Sequence, residues 1–214
     1  DDVYLSLADD DRQAHWLMPL INKLKQLRVK GCEILVMHGN RDFLLDRGFL
    51  NLFGGELIDE PYSLDVGKQS YRLEHGDALC SDDRKYQWFR KVIRHRLSKW
   101  YLLNKSLSRR LAIADNMRAK SKLNNRTKDA YIMDVNEQSV TQAVADNDAL
   151  LHGHTHRPNV HTTINGKTRY VLGDWRHIDT ETRLPKVSAV IGAVVSETHS
   201  AEAEFSLVEF VYSV

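Results

Sequence analysis

The sequence predicts an α/β (α+β) fold with an inserted helical segment. Short apolar runs typical of buried strands alternate with helical patterns over the first part of the chain. After residue 148 the strand-like runs follow one another closely, as in a β-rich region. A basic stretch with helical spacing separates the two parts. We therefore expect a single domain over residues 1–214, with an insertion at approximately residues 84–128.

The individual elements follow from local patterns. Residues 12–30 place apolar side chains at helical spacing, and Gly31 predicts the end of that helix. Asn165-Gly166 is a pair favoured in tight turns and predicts a β-hairpin. The segments predicted to be strands are CEILVMHGN (32–40), SYRLEHGD (70–77), DALLHGH (148–154), TRYVLGD (168–174), SAVIGAVV (188–195) and EFSLVEFVY (204–212).

Composition narrows the class of protein. The net charge of +1 provides no global field that would select a polyanionic partner. The two cysteines, Cys32 and Cys80, are too few for a disulfide scaffold, and we expect both to be reduced in a cytosolic protein. No apolar run approaches the roughly 20 residues needed to span a bilayer. We expect a soluble or peripheral protein.

The segment 84–128 has an unusual charge distribution. It holds 15 of the 30 Lys and Arg residues, and Asp115 is its only acidic residue. Aromatic and aliphatic residues are interleaved with these charges at helical spacing. Such basic amphipathic helices are typical of contacts with a membrane surface, an anionic lipid or a nucleic acid. The alternative is a set of ordinary helices with a solvated charged face.

Three predicted strands end in the same kind of turn, VMHGNRD (36–42), LEHGD (73–77) and LLHGHTH (150–156). Each turn places Gly beside Asn, Asp or His at a strand end, where binding sites assemble in open α/β sheets. A single histidine there is more often hydrogen-bonded within the core. Three such turns together predict a functional site.

The residue types in these turns favour a metal. Histidine, asparagine and carboxylate without thiolate suit Mn²⁺, Fe or Zn²⁺. Two such ions about 3.5–4 Å apart clamp a phosphate, activate a water and stabilise the leaving oxygen. Strand-like alternation predicts that His154 and His156 point to the same side. His152 has the same parity, so alternation alone leaves it open as a ligand.

The ordered motifs GNRD (39–42), HGD (75–77) and GHTHRP (153–158) are similar to the later motifs of the calcineurin-like metallophosphoesterases. With GNRDFLL, HGDALCSDD, MRAKSK, IMDVN and HGHTHRP they resemble one branch, the UDP-2,3-diacylglucosamine hydrolases of lipid A synthesis. The likeness runs from about residue 1 to 176. It implies a β-sandwich flanked by helices, with a helical cap inserted at 84–128. It also implies that the first strand, which carries an Asp-x-His motif, lies upstream of residue 1.

The resemblance implies the metal ligands and the catalytic residues. Two divalent ions, Mn²⁺ by family likeness, would be bound by Asp2, Asn40, His75, His154 and His156. Asp2 would be the bridging carboxylate, although Asp1 stands where the family has Gly. Asn40, Arg41 and His154 would act in catalysis, with Arg41 in place of the histidine that is common in the wider superfamily.

The resemblance also implies a set of substrate-binding residues, most of them in or near the cap. Each of these residues could instead have an ordinary structural role, for example as an exposed charge on a helix or as a residue at a helix end. The implied residues are Asn40, Arg41, Asp83, Tyr86, Arg118, Ser121, Asn125, Lys128 and His154.

The implied reaction is hydrolysis of UDP-2,3-diacylglucosamine to UMP and 2,3-diacylglucosamine 1-phosphate (lipid X), by attack of a metal-activated water on the α-phosphorus. A lipid-linked UDP-sugar substrate implies peripheral binding to the cytoplasmic face of the inner membrane. No nucleic acid and no obligate protein partner are expected.

Two other interpretations remain open from the sequence. Another calcineurin-like phosphoesterase, acting on a nucleotide, a phosphoprotein or a nucleic acid, would share the metal motifs. A non-catalytic relative would bind lipid through residues 84–128. Residues 177–203 match no pattern that we recognise.

Overall fold

The structure is a computed structural model, and its described residues fall into two units. It is a mixed α/β structure with a mixed central sheet, as the sequence predicts. The first unit contains described residues 17–60 and 83–126, and the second contains 61–82, 134–178, 186–196 and 203–213.

The first unit begins with a helix and a small parallel sheet. Its elements are α1 (Met18–Val29), β1 (Leu35–Met37), α2 (Arg47–Leu50) and β2 (Glu56–Ile58). The helix ends before Gly31, whose φ of +89° confirms the predicted stop. Strands β1 and β2 pair in parallel. The buried residues of the core in this part of the unit are Leu17, Ile21, Leu45, Leu50 and Phe53.

Three helices form the basic segment of the first unit. They are α3 (Arg84–Ile93), α4 (Arg96–Leu103) and α5 (Leu107–Arg126), which confirms the prediction that this segment is helical. Phe43 and Leu44, just after β1, are buried with Leu102 and Ala114 of these helices. The loop that follows β1 is therefore anchored to the helical segment. Within the described residues, no helix combines the length and the apolar character needed to cross a bilayer.

The second unit is built on a five-stranded sheet of order β3-β4-β5-β7-β6. Strands β4, β5 and β7 are parallel, and the flanking pairs are antiparallel. Gly166 has a φ of +77° in the turn between β6 and β7, which confirms the predicted hairpin. The strands are β3 (Tyr62–Val66), β4 (Gln69–Glu74), β5 (Ala149–His152), β6 (Asn159–Thr162) and β7 (Thr168–Val171).

Each face of this sheet is covered. Leu150 is fully buried against Val140 and Val144 from α6 (Glu137–Ala143) and the residue that follows it. On the other face, the ring of Phe205 lies 5.8 Å from that of Tyr71 and 4.3 Å from that of Tyr170. Phe205 belongs to an antiparallel sheet of β8 (Arg176–Ile178), β9 (Lys186–Ser196) and β10 (Ala203–Ser213).

The parallel register places the carboxyl ends of β4, β5 and β7 side by side at one end of the larger sheet, which we call its edge. Glu74 of β4 pairs with His152 of β5, and His152 pairs with Val171 of β7. The residues that follow these positions therefore leave the sheet side by side. This edge carries the HGD and HGHTH turns.

Candidate active site

The HGD and HGHTH turns contact each other directly. The backbone N–H of Gly153 donates to the carbonyl of His75 at 3.1 Å. The rings of His75 and His154 meet edge to face, with centroids 5.1 Å apart and planes at 69°. The parallel pairing of β4 and β5 thus brings together two of the histidines that the sequence singles out.

Gly76 is required where the two turns meet. Its φ is +105°, a conformation that residues with a Cβ rarely adopt. A Cβ at this position would lie 2.8 Å from Nδ1 of His152. Glycine is therefore needed both for the backbone angle and for the close approach of the histidine ring.

His152 is buried beneath this turn, with 1% of its surface exposed. Its Nδ1 lies 3.0 Å from the carbonyl oxygen of Gly153. Because a carbonyl only accepts, Nδ1 carries the proton. Burial lowers the pKa of His152 to about 4, and the bond to Gly153 opposes that shift only partly. His152 is thus a neutral, buried ring that supports the turn.

His154 and His156 adopt left-handed backbone conformations, with φ of 61° and 54°. They are the only non-glycine residues with positive φ in the described part of the chain. Each such residue costs about 1–2 kcal/mol, and backbone strain of this kind concentrates at functional sites. The prediction that strand alternation orients both side chains was wrong, because β5 ends at His152.

His156 is held by two residues that were not among the predicted site residues, Asp174 and Arg176. Its Nδ1 lies 2.9 Å from Oδ2 of Asp174. Arg176 donates from Nε to Oδ1 of Asp174 at 2.6 Å and from Nη2 to the carbonyl of His156 at 2.9 Å. The sequence could have indicated Asp174 by its position, because it follows the predicted strand that becomes β7 and so lies at the same end of the sheet as His156.

The charge state of Asp174 follows from these contacts. Partial burial raises the pKa of this carboxyl, but the hydrogen bonds from Arg176 and His156 outweigh burial. The pKa of Asp174 therefore lies below its ordinary value of 3.8, and the group is a carboxylate at neutral pH.

Asn40 and Arg41 lie in the first unit, in the loop after β1. Gly39 donates its N–H to the carboxylate of Asp42, which closes the turn around both residues. Arg94, the residue that ends α3, donates to the carbonyl of Gly39 at 3.0 Å. Asn40 is half-buried, and Arg41 is exposed.

Arg94 is itself held by an ion pair with a residue 34 positions earlier, which no local pattern in the sequence indicates. Its Nη1 lies 2.6 Å from Oε1 of Glu60, and Arg90 pairs with the same carboxylate oxygen. Part of the positive charge of the helical segment is therefore compensated within the first unit. Glu60 holds Arg94, and Arg94 holds the Asn40 loop.

Comparison with known proteins shows the family of this chain. No family model matches the chain. The chain is 39% identical over 176 residues to UDP-2,3-diacylglucosamine hydrolase from Shewanella sp. (strain W3-18-1), covering 81% of this chain and 73% of the relative. The protein of the same name from Pseudomonas entomophila (strain L48) is 37% identical, over 81% of this chain and 75% of the relative. The one from Shewanella piezotolerans (strain WP3 / JCM 13877) is 41% identical, over 81% of this chain and 74% of the relative. The chain belongs to the UDP-2,3-diacylglucosamine hydrolase family.

Solved structures are less similar. A structure described as a novel archaeal phosphodiesterase has a TM-score of 0.36 and 13% identity, over 89% of this chain and 76% of that one. Vps29 from Entamoeba histolytica has a TM-score of 0.33 and 12% identity, over 90% and 89%. Family membership therefore rests on the sequence relatives alone.

Most of the described substrate residues implied by the resemblance lie in or beside the helical segment of this UDP-2,3-diacylglucosamine hydrolase family member. The carboxylate of Asp83 caps α3 by accepting from the N–H of Tyr86 at 3.1 Å. Arg118 donates to Asp115 at 2.7 Å, and Ser121 follows one turn later on α5. The role that the structure gives to Asp83 is that of the N-cap of α3. The side chain of Asn125 and all of Lys128 lie outside the described residues.

The described residues supply only part of the implied ligand set. Among them, no group of three or more His, Cys, Asp or Glu side chains is arranged to hold a metal ion. Asp2, the implied bridging carboxylate, lies outside the described residues. The donor chemistry fits nonetheless, because His75, His154 and His156 offer ring nitrogens and Asp174 fixes the tautomer of the last.

Proposed function

We propose that this protein hydrolyses the pyrophosphate bond of UDP-2,3-diacylglucosamine in lipid A synthesis, releasing UMP and 2,3-diacylglucosamine 1-phosphate. Support comes from relatives that bear this enzyme's name and are 37–41% identical over 81% of the chain. The structural observation that carries the proposal is the edge-to-face contact of His75 and His154 on adjoining strand ends. That contact joins the two histidine motifs at one sheet edge.

The proposed cofactor is a pair of Mn²⁺ ions, and five residues would supply the protein ligands for the two ions. When bound, such ions neutralise phosphoryl oxygens, lower the pKa of a water molecule and stabilise the leaving oxygen. Asn40 and His154 would bind the same ion as His75, and His156 would bind the other. The proposed ligands are Asp2, Asn40, His75, His154 and His156.

The contribution of the chain at the histidine turns is orientation. The left-handed backbone at His154 and His156 sets the direction in which the Cα–Cβ bond of each residue leaves the chain. Asp174 keeps the proton of His156 on Nδ1, so that Nε2 presents a lone pair. A preorganised donor set loses less conformational entropy when it binds its ligand.

Arg41 would bind the phosphate during the reaction. A guanidinium donates two parallel hydrogen bonds to phosphoryl oxygens, which suits the charge that develops as the anhydride bond breaks. Arg41 is exposed, and its loop is closed by Asp42 and tied to α3 through Arg94. Arg41 and Asn40, both on this loop, are assigned to catalysis together with His154.

The helical segment 84–128 would bind the diacylglucosamine as a cap. A cavity of about 330 Å³ lies between α3 and α4, lined by Ile93, Leu97, Ser98, Tyr101 and Leu102. Four of these five residues present apolar groups, which suits an acyl chain better than a nucleic acid. Trp88 and Trp100 are 69% and 65% exposed on the same helices.

Polar residues of the cap would bind the glucosamine phosphate. Arg118 and Lys128 carry positive charge for the phosphate, and the remaining side chains offer hydrogen bonds to sugar hydroxyls and amides. Exposed tryptophans beside basic residues also suit the surface of an anionic membrane, so we propose peripheral binding to the inner membrane. The proposed residues are Asp83, Tyr86, Arg118, Ser121, Asn125 and Lys128.

The position of bond cleavage tests this function. Hydrolysis of UDP-2,3-diacylglucosamine in ¹⁸O-labelled water should place the label in UMP, because attack is at the α-phosphorus on the uridine side. Label in the diacylglucosamine 1-phosphate would contradict the proposed mechanism. Turnover of a nucleic acid or a phosphoprotein in preference to the UDP-sugar would contradict the proposed substrate.

A further inference from the structure

A cavity in the second unit lies beside the histidine turn, and neither His154 nor His156 lines it. Its volume is about 270 Å³, and Thr155, Arg157, His161 and Arg169 line it together with Asp134. His161 of β6 and Arg169 of β7 are cross-strand partners in the edge hairpin. The cavity thus brings together Asp134 of the IMDVN segment and Arg157 of HGHTHRP, two residues without a role in the proposed hydrolysis.

Of the two arginines that line the cavity, one forms an ion pair within the described residues and the other does not. Arg157 donates to Oδ2 of Asp134 at 2.9 Å. Arg169 is half-buried, and among the described residues its side chain has no hydrogen bond and no ion pair. Burial lowers the pKa of Arg169, and the more distant carboxylates of Asp134 and Glu137 oppose that shift. Arg169 keeps its positive charge at neutral pH, since arginine is not deprotonated in proteins.

A half-buried guanidinium without a counter-ion is an unfavourable arrangement in a folded protein. Desolvation weakens the hydration of the charge, and only an opposite charge or hydrogen-bond acceptors compensate for that loss. Among the groups that line the cavity, Arg157 and Arg169 carry two positive charges against the single carboxylate of Asp134, and Glu137 is not part of that lining. The lining therefore carries one net positive charge toward a ligand.

We propose that this cavity is an anion-binding site for a phosphate group, either free or as a phosphomonoester, held by Arg157 and Arg169. A guanidinium matches the spacing of two phosphate oxygens, and two guanidinium groups can bind one phosphate from different sides. The hydroxyl of Thr155 adds a donor. Burial and the neighbouring Arg169 lower the pKa of His161, so its neutral ring offers one N–H.

The dimensions and charge of the cavity favour this ligand over larger anions. Its volume is slightly below the roughly 300–1,000 Å³ typical of ligand pockets, which suits one phosphate group with a small substituent. A nucleic acid would require an extended surface of positive charge, and here Asp134 interrupts it. The carboxylate of Asp134 also limits the site to anions that compete for Arg157.

Calorimetric titration with inorganic phosphate tests the proposal, on the protein as purified and again with EDTA. We expect saturable binding that persists in EDTA and is weakened roughly tenfold or more by Arg169→Gln, as loss of a charged hydrogen bond requires. The matched control is Lys68→Gln, which removes one exposed positive charge in the β3–β4 turn of the same unit. Its affinity for phosphate should equal that of the wild type.

Further titrations identify the source of the phosphate group. UMP with an affinity at least equal to that of inorganic phosphate would indicate a phosphomonoester, and weaker binding of UMP would indicate free phosphate. Uridine, which has no phosphate, should not bind. If Arg169→Gln does not fold, Arg169→Lys must still weaken binding, because an ammonium lacks the guanidinium fork. Absence of binding in EDTA, unchanged affinity in the Arg169 variant, or equal weakening by Lys68→Gln would overturn the proposal.

Discussion

Nδ1 of His156 lies 2.9 Å from Oδ2 of Asp174, and this contact decides which nitrogen of His156 faces a ligand. A carboxylate only accepts, so the proton stays on Nδ1 and Nε2 keeps its lone pair. Arg176 contacts both residues and fixes their relative position. This carboxylate–histidine pair is the arrangement that supports metal-binding histidines in proteins.

Replacement of Asp174 by alanine should weaken binding of Mn²⁺ by about 10–100-fold, because His156 loses both its orientation and its fixed tautomer. Titration of the metal with detection by calorimetry measures this effect directly. Asp65→Ala removes an exposed carboxylate from β3 and is the matched control. Equal Mn²⁺ affinity in the Asp174 variant and the control would contradict a role of Asp174 in the metal site.

The left-handed backbone at His154 predicts an unusual order of stability between two variants. His154→Gly should be more stable than His154→Ala by about 1 kcal/mol, since only alanine retains the steric penalty of positive φ. Urea denaturation in the presence of EDTA measures the difference without any contribution from metal binding.

The control for this comparison is an exposed position inside a helix. At Lys25, in the middle of α1, the order should reverse, with Lys25→Gly less stable than Lys25→Ala by about 0.5–1 kcal/mol. The same order at both positions would show that His154 is not held in the left-handed conformation.

Gly76→Ala should be more destabilising than Gly166→Ala. Both glycines have positive φ, so both variants incur a backbone penalty of about 1–2 kcal/mol. Only at Gly76 does the new methyl group meet another atom, 2.8 Å from Nδ1 of His152, whereas no heavy atom lies within 4 Å at Gly166. Overpacking adds about 1–3 kcal/mol. Equal losses of unfolding free energy in the two variants would contradict the close packing of His152 beneath the HGD turn.

Asp148 provides a pH-dependent contribution to stability. Hydrogen bonds from the backbone N–H and then the hydroxyl of Ser70 lower the pKa of Asp148 below 3.8, although its side chain is exposed. A lowered folded-state pKa stabilises the protein above the unfolded value, and this contribution is lost as the pH falls through the folded value. Asp148→Asn should therefore have a lower Tm than the wild type at pH 7, with the difference shrinking below pH 3.8.

Asp146→Asn is the matched control for the pH experiment, because Asp146 is an exposed carboxylate two residues away. Its Tm should follow that of the wild type at every pH. A Tm difference for Asp148→Asn that stays constant from pH 7 to pH 2.5 would show that the Ser70 contacts do not depend on the charge.

Local patterns in the sequence predicted much of the fold. The buried strands were recognisable from apolar runs, and the hairpin from Asn165-Gly166, because these signals lie within a few consecutive residues. Helix α6 was missed, although Asn136 supplies an N-cap signal by accepting from the N–H of Ser139 at 3.1 Å. That helix is only seven residues long, too short for a clear periodic pattern.

For the candidate site, the sequence predicted which turns lie close together only where a motif directly follows a strand. The HGD and HGHTH turns meet because β4 and β5 are parallel neighbours, and the pattern of both strand ends suggested such an edge. The partnership of His156 with Asp174 spans 18 residues and depends on the pairing of β7 with β5, which no local pattern encodes. Strand alternation was wrongly extended to His154 for a related reason, since the left-handed turn begins where the strand ends.

Metal-dependent turnover of UDP-2,3-diacylglucosamine by the wild type and by His154→Ala is the most direct test of the proposed function. The wild type should lose activity in EDTA and regain it with Mn²⁺. His154→Ala should fall by at least roughly 100-fold, the upper end of what loss of a supporting partner costs, while Asp65→Ala keeps full activity. Undiminished turnover by His154→Ala, or full activity of the wild type in EDTA, would contradict the proposed two-metal hydrolase.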